Sequence, residues 1–551
     1  MPENSRGLPV FLLLGCLVTS SCGDSRPPSF VSGPRISPNP NPAVPLAAIL
    51  EFSTDEPSRV VLIVSDGKEE REVDVNQDFT TDHRFPILGL AADKTYTLTV
   101  RAVDPSGNWV EAQDPLKYTT PVLPDDFPPL SVQVSQTDRM EPGVTLFEIT
   151  KRIGNQPDSD FHLVLAVNPQ GEVVWYYRPD HPARYIHVLS NRNLLYISGY
   201  RVIEATLTGE IVRRWHAARY PNDGKELDVP EGSIPVDVET FHHEVLQMPS
   251  GNFLVISTEL RVVDNFPTEV GNPGSPREKA SVIGDVIVEF QPDGTIVNRW
   301  SLLDLMDPDR YGYSSSGNFW RTRGYGHIEG ELKDWGHANS VFYNPPDDSV
   351  IVSVRLQDAV IKLSRETGEL IWILGTHAGW GDRWKPYLLN PVGDFEWPYH
   401  QHAARTTRDG LLLLFDNGND RAWPPEARTP DKEAYSRAVE FKIDEEQGTV
   451  EQVWLYGGPG PGAFFSSFVS EADLLPVTGN VLVTEGGLTR NDQGEYASGR
   501  EATRYSTRIV EVTHSEAPEI VFELLIEDPS AEHPMGWTVY RSERLPDLYP
   551  D

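Results

Sequence analysis

Residues 337–375 read HANSVFYNPPDDSVIVSVRLQDAVIKLSRETGELIWILG, and the organisation of most of the chain follows from them. The stretch contains two β-type hairpins. In the second, VIKLSRETGELIWIL (360–374), apolar runs flank a turn whose Gly368 supplies the positive φ that a tight hairpin needs. The same pattern stands at LVLAVNPQGEVVWYY (163–177), VIEATLTGEIVRRW (202–215), VIVEFQPDGTIVNRW (286–300), AVEFKIDEEQGTVEQVW (438–454) and IVEVTHSEAPEIVFEL (509–524). The last lacks the turn glycine. The first hairpin, HANSVFYNPPDDSVIVS (337–353), also recurs, as HVLSNRNLLYIS (187–198), HHEVLQMPSGNFLVIS (242–257), HQHAARTTRDGLLLLF (400–415) and EADLLPVTGNVLVTE (471–485).

Two hairpins per repeat make a four-stranded blade, and repeats of this kind are the signature of a β-propeller. Six copies predict an all-β, six-bladed propeller over residues 130–551. Its last blade is expected to be closed by both chain ends, through 130–150 and 535–545, because closure removes free strand edges. Long insertions separate the hairpins at 216–241, 259–283, 304–334, 375–399, 419–436 and 455–469. Loops of that length are uncommon without a function, and here they are expected to build a cap or pocket rim.

Upstream, residues 35–120 alternate short β-type runs with turns. Period two is clear in Thr95–Val103, where Tyr96, Leu98, Val100 and Ala102 share a face. This region predicts a small fibronectin type III-like β-sandwich, ended by the Pro-rich stretch 121–129. Residues 23–34 read as a Pro, Ser and Gly rich linker. Residues 1–22 hold an apolar run too short to span a bilayer and sized for a secretion signal. Small residues before Cys22 resemble a lipoprotein cleavage site, although Thr19 stands where a large aliphatic is usual. Cleavage there would make Cys22 the lipidation site and tether an exported protein, periplasmic or held at the outer membrane of a bacterium. Ordinary signal cleavage nearby is the alternative.

The composition narrows the function classes. The 551 residues carry 82 acidic and 47 basic side chains, a formal charge of −35, which disfavours nucleic acid as a partner. The two cysteines, Cys16 and Cys22, both lie in the signal segment. The mature body therefore has no disulfide framework, cysteine nucleophile or thiolate metal site.

The chain has only 14 histidines, and four repeats place one at the start of the first hairpin: His187, His243 beside His242, His337, and His402 beside His400. In a propeller that strand is innermost, so these positions converge on one axis. Strand alternation allows one of His242 and His243 to face the channel, and His243 is the expected one. Asn339 lies on the face of His337 by period two, Arg355 follows an apolar strand, and Asp416-Asn417-Gly418 ends another. Each alone has a bland reading as a turn former or ion pair. Together, several His, an Arg and an Asn suit a tetrahedral oxyanion: Arg offers a bidentate fork, and neutral His can attack sulfur or phosphorus.

These motifs resemble the bacterial arylsulfate sulfotransferases, the PAPS-independent aryl-sulfotransferase family. The resemblance rests on HHEVLQMPSGNFLVIS, the 334–375 stretch, Gln401-His402-Ala403, Leu414–Gly418 with Arg421, and Tyr540–Arg544. It covers most of the chain from about 130 to 550 and implies a six-bladed propeller. It also implies ping-pong transfer of a sulfuryl group from a phenolic sulfate donor to a phenol acceptor, without a cofactor. His402 matches the family nucleophile, which would become a sulfohistidine. His243, His337, Asn339 and Arg355 match positions that bind the sulfuryl oxygens or handle the phenol proton. His242, His400 and Asn417 are further expected substrate contacts, and a homodimer is implied. Three rival readings remain. One is a Zn²⁺ or Cu²⁺ site, since His400 and His402 share a strand face in this reading. The others are a quinoprotein-like oxidoreductase, suggested by the TGELIW-type turns, and a non-catalytic binding lipoprotein.

Overall fold

The computed structural model describes residues 26–551 except 154–155, 271, 273, 314–317, 529–534 and 550–551. The signal segment with Cys16 and Cys22 lies outside the described residues. Among the described residues no helix is long and apolar enough to cross a membrane.

The chain divides into two compact units. The smaller is built from Ile49–Phe85, Thr95–Thr119 and the described residues up to Ser37. Its six strands are Phe30–Pro38, Ala48–Ser65, Glu70–Ile87, Thr95–Val103, Trp109–Glu111 and Leu116–Thr119, linked in one hydrogen-bonded sheet. Alternation holds in Thr95–Val103, where Tyr96, Leu98, Val100 and Ala102 are buried. Residues 30–34, expected in the linker, are instead part of the first strand: Phe30 packs edge-on against Phe52 at 5.5 Å.

The larger unit comprises Pro38–Ala48, Pro86–Lys94 and Thr120–Asp551. Residues 38–48 and 86–94, expected within the sandwich, thus pack with the larger unit. Leu46 enters its core beside Met140 and Phe147, and Asn39 Nδ2 donates to the Thr208 carbonyl.

The larger unit repeats one antiparallel meander. Both hairpin types fall where the sequence places them. Residues 337–375 become Ala338–Asn344, Ser349–Val354, Ala359–Ser364 and Leu370–Gly375, paired in order. Gly368 takes φ +71° in the last turn. The other complete meanders begin at Arg184–Val188, His242–Gln247, His402–Thr406 and Glu471–Leu474. A further set, Val144–Ile153, Leu163–Val167 and Val173–Tyr177, takes its remaining strand from Ser542–Leu545. Leu130–Ser135 pairs with Ile520–Ile526 of the last meander. The two chain ends therefore serve different meanders, where closure of the last alone was expected. Val144–Ile153 can bridge both because its far end also pairs with Met535–Thr538.

Buried apolar side chains fill the space between neighbouring meanders. Trp215, Phe253 and Phe290 form one such layer, and Val352, Ile361 and Trp335 another. Leu414, Val439 and Leu374 form a third. Burial of side chains this size stabilises by roughly 1.5–3 kcal/mol each. The first strands of successive meanders lie side by side, which brings their leading residues together.

Candidate active site

The first strands do not keep a regular pleat where they begin. Register shifts fall between Arg184 and His187, His242 and Val245, Ala338 and Ser340, and His402 and Arg405. Non-glycine residues adopt positive φ at or beside these bulges: Tyr185 at 57°, His243 at 59°, His337 at 55° and Ala403 at 54°. Such a backbone costs on the order of 1–3 kcal/mol per residue, and strain of this kind gathers at functional sites. A bulge re-aims side chains and ends period two. His242 and His243 consequently both lie buried, their Nδ1 atoms 2.8 Å apart. His243 is the one that meets His337, Tyr185 and Tyr540. Its ring centroid is 4.9 Å from that of His337, 5.2 Å from Tyr185 and 6.1 Å from Tyr540. His242 turns instead toward Trp320 and Asp285.

His402 is 3 % exposed. Its Nδ1 lies 2.6 Å from Asn417 Oδ1. The amide cannot be reversed without loss, because Asn417 Nδ2 donates to the Ser466 and Val469 carbonyls at 2.7 and 3.0 Å. The network therefore assigns the proton of His402 to Nδ1 and leaves Nε2 as a bare lone pair. Burial, reinforced by the positive charge of Arg355, holds the His402 imidazole well below its usual pKa, so the ring is neutral.

His337 is oriented differently. Its Nδ1 lies 2.6 Å from Asp334 Oδ2, while Asp334 Oδ1 accepts from Trp320 Nε1 at 2.9 Å. Asp334 is held by a short strand, Leu332–Asp334, that runs parallel to Arg277–Phe290. Phe319 packs on His337 at 4.5 Å and stacks on His243 at 5.8 Å.

Arg355 follows the strand Ser349–Val354 and opens a short 3-10 turn. Its described hydrogen bond is a long one, 3.4 Å from Nη2 to the Ser467 carbonyl. The rest of the fork is available to an anion. Asn339 is fully buried. Its Nδ2 donates to the Gln401 carbonyl at 2.7 Å, and its main-chain carbonyl accepts from Tyr540 Oη at 2.9 Å. Asn339 thus ties the residue preceding His402 to Tyr540, whose ring is 6.1 Å from His402.

The structure brings together His402, His337, His243 and Arg355, and Asn339, expected to bind substrate, lies behind them with its amide on the Gln401 carbonyl. Three further expected contacts go elsewhere. Asn417 is fully buried, with its amide committed to His402 and two carbonyls, so it positions the imidazole instead of meeting a ligand. His242 lies behind His243. His400 has φ 54° and its Nδ1 sits 3.1 Å from Asp358 Oδ1. The strand begins only at His402, so His400 and His402 do not share a strand face. Among the described residues no group of three or more His, Cys, Asp or Glu is arranged to hold a metal ion. His187 leaves the cluster too, and pairs with Glu244 at 2.5 Å. Arg421 is structural, bound to Asp416 and Glu396 at 3.1 and 2.9 Å.

Asp334, Trp320, Phe319 and Tyr540 complete the site without having been assigned to it from sequence. Asp334 had a signal, three residues ahead of His337. Phe319 and Trp320 had none beyond their place in the 304–334 insertion.

Residues 131–541 match the protein family described as Arylsulfotransferase (ASST), and residues 36–121 match the Arylsulfotransferase Ig-like domain. The arylsulfate sulfotransferase AssT of Escherichia coli is 30% identical over 309 residues, which cover 49% of this chain and 49% of that one. AssT of Lelliottia amnigena is 28% identical over 268 residues, covering 42% and 44%. The chain thus spans about half the length of the curated relatives it matches. Among solved structures, a protein of unknown function from Bacteroides caccae aligns with a TM-score of 0.34 at 12% identity, over 73% of this chain and all of that one. With its N-terminal Ig-like domain and a match running from 131 to 541, the chain belongs to the arylsulfotransferase family.

Proposed function

We propose that the protein is an aryl-sulfate sulfotransferase that moves a sulfuryl group from an aryl sulfate to a phenol in two half-reactions, through a sulfohistidine at His402. One observation carries this reading: a buried, neutral imidazole whose Nδ1–H is held by Asn417 and whose Nε2 has no side-chain hydrogen-bond partner among the described residues. Such a nitrogen is a nucleophile at neutral pH without a separate base.

In the first half-reaction Nε2 attacks the donor sulfur, the S–O(aryl) bond breaks, and the phenolate leaves with a proton from a site imidazole. The Arg355 fork neutralises the sulfuryl oxygens as charge shifts. In the second half-reaction the acceptor phenol gives its proton back to a site imidazole and attacks the sulfur, and His402 is restored. His337, with its Nδ1–H on Asp334, and His243 are the imidazoles at hand for the proton. Phe319, Tyr185 and Tyr540 supply an aromatic lining suited to a phenyl ring. The chemistry needs no cofactor. We read the meanders as six blades around an axis on which these residues meet. We place the protein in an exported, Cys22-tethered setting, acting on small phenolic partners, as a homodimer. The test is transfer from 4-nitrophenyl sulfate to phenol. Beyond one equivalent per enzyme, release of nitrophenol must match the acceptor consumed, and continued hydrolysis to free sulfate without acceptor would overturn the reading.

A further inference from the structure

Behind the site lies a second buried pair. Asp285, on the strand Arg277–Phe290, is 1 % exposed, and His242 is 4 % exposed. His242 Nε2 lies 3.6 Å from Asp285 Oδ1. Neither that nitrogen nor either Asp285 oxygen has a side-chain hydrogen-bond partner among the described residues. Unpaired buried polar atoms are costly, and two facing each other a few tenths of an ångström beyond bonding distance satisfy one another by a small shift. The site for the carboxyl is shaped: a Cβ at Gly336 would stand 2.4 Å from Asp285 Oδ2. On its other edge the His242 ring meets His243, Nδ1 to Nδ1 at 2.8 Å.

We infer that Asp285 and His242 are the proton store of His243, delivering a proton to the leaving phenolate in one half-reaction and recovering it from the acceptor phenol in the next. This rests on the sulfuryl-transfer reading above. In the charged state Asp285 O–H donates to His242 Nε2, His242 Nδ1–H donates to His243 Nδ1, and His243 carries its proton on Nε2, toward the site. When His243 Nε2–H goes to the phenolate, one proton shifts across each bridge. Asp285 is left as carboxylate, His242 with Nε2–H, and His243 with Nδ1–H and a bare Nε2. That Nε2 is the base for the acceptor phenol, whose proton returns along the same path. No proton is gained or lost over the cycle.

Surrounding groups fit both states. Burial first, then the nearby negative charges of Asp334 and Glu259, favour the protonated Asp285 carboxyl. The main-chain amides of Ala338 and His337 face it and favour the carboxylate. The Ser257 main chain favours an N–H on His242, while burial and His337 hold that ring neutral. His243 is likewise held neutral by burial, with His337, His242, His402 and Arg323 around it. A relay of neutral rings needs this.

The two donors that test it are 4-nitrophenyl sulfate, whose phenolate leaves readily, and phenyl sulfate, whose phenolate needs the proton. Asp285→Asn keeps the shape and cannot release a proton. It should lower kcat for phenyl sulfate roughly hundredfold and for 4-nitrophenyl sulfate at most about tenfold, with KM little changed. His242→Gln should widen the same ratio, and is read in its place if Asp285→Asn fails to fold. In the wild type, the proton inventory for phenyl sulfate should require more than one exchanging proton. Equal losses for both donors, or a single-proton inventory, would overturn the relay and leave sulfuryl transfer standing. A wild type that transfers from neither donor would remove the function itself.

Discussion

The Nδ1 of His402 lies 2.6 Å from the Oδ1 of Asn417, whose amide nitrogen is held by two main-chain carbonyls. That contact decides which ring nitrogen faces the ligand. Asn417→Ala should therefore lower kcat by about 10²-fold while KM moves little, since ring orientation and tautomer are lost but the donor contacts remain. Steady-state kinetics with one aryl sulfate donor measures it.

Asn417→Asp keeps the acceptor and adds a charge. A carboxylate beside His402 favours the imidazolium, so its pKa rises. In the wild type the neutral ring persists well below its usual pKa. The acid limb of the kcat/KM profile should accordingly move to higher pH in the variant. An unmoved limb would assign it to another group.

Asp334 bridges His337 and Trp320. Asp334→Asn keeps the shape but can turn its amide nitrogen toward His337 Nδ1, so the contact that orients the His337 ring is weakened. It should reduce kcat by roughly 10²-fold, with Trp320→Phe giving a smaller loss in the same direction. Equal kcat in all three proteins would show that the Asp334 bridge plays no part in the transfer.

Arg541 and Glu244 form a buried pair at 2.8 Å that also holds His187. Removing one partner strands a charge, so Arg541→Met should destabilise by about 3–5 kcal/mol in denaturant unfolding. The pair also predicts a pH dependence. Burial raises the Glu244 carboxyl, but Arg541 and His187 outweigh it and take it down to about 2. Its contribution is present above its ordinary range near 4.5 and is lost as pH falls toward 2. For His187, burial and Arg541 press the ring down, and Glu244 outweighs them and brings it to about 9. Its contribution is complete below 6.5 and is lost as pH rises through 9. Melting temperature should be highest between those limits, and Glu244→Gln should flatten the alkaline arm.

The hairpins were legible because each carries its own period and turn chemistry, as VIKLSRETGELIWIL does around Gly368. The convergence of His243, His337 and His402 was legible because one residue type recurred at one repeat position. What escaped was local backbone. A bulge leaves no trace in the pattern, so His242 and His243 read as opposite faces when both are buried in contact. Asn417 read as a ligand contact because its polarity was visible and its two carbonyl partners, Ser466 and Val469, were not. His400 shared a face with His402 only on the assumption of a strand that begins two residues later. Phe319 and Trp320 come from an insertion with no periodic signal, and only the fold places them against His243 and His337.

If His402 Nε2 carries the sulfuryl group between donor and acceptor, the protein must hold that group covalently when no acceptor is present. Wild type and His402→Asn are incubated with an aryl sulfate in the absence of acceptor, and intact mass and peptide mapping follow. A single sulfuryl adduct on the peptide bearing His402, removed by phenol and missing from an equally stable His402→Asn, is the expected result. An adduct on another residue, or transfer that persists in His402→Asn, would place the nucleophile elsewhere.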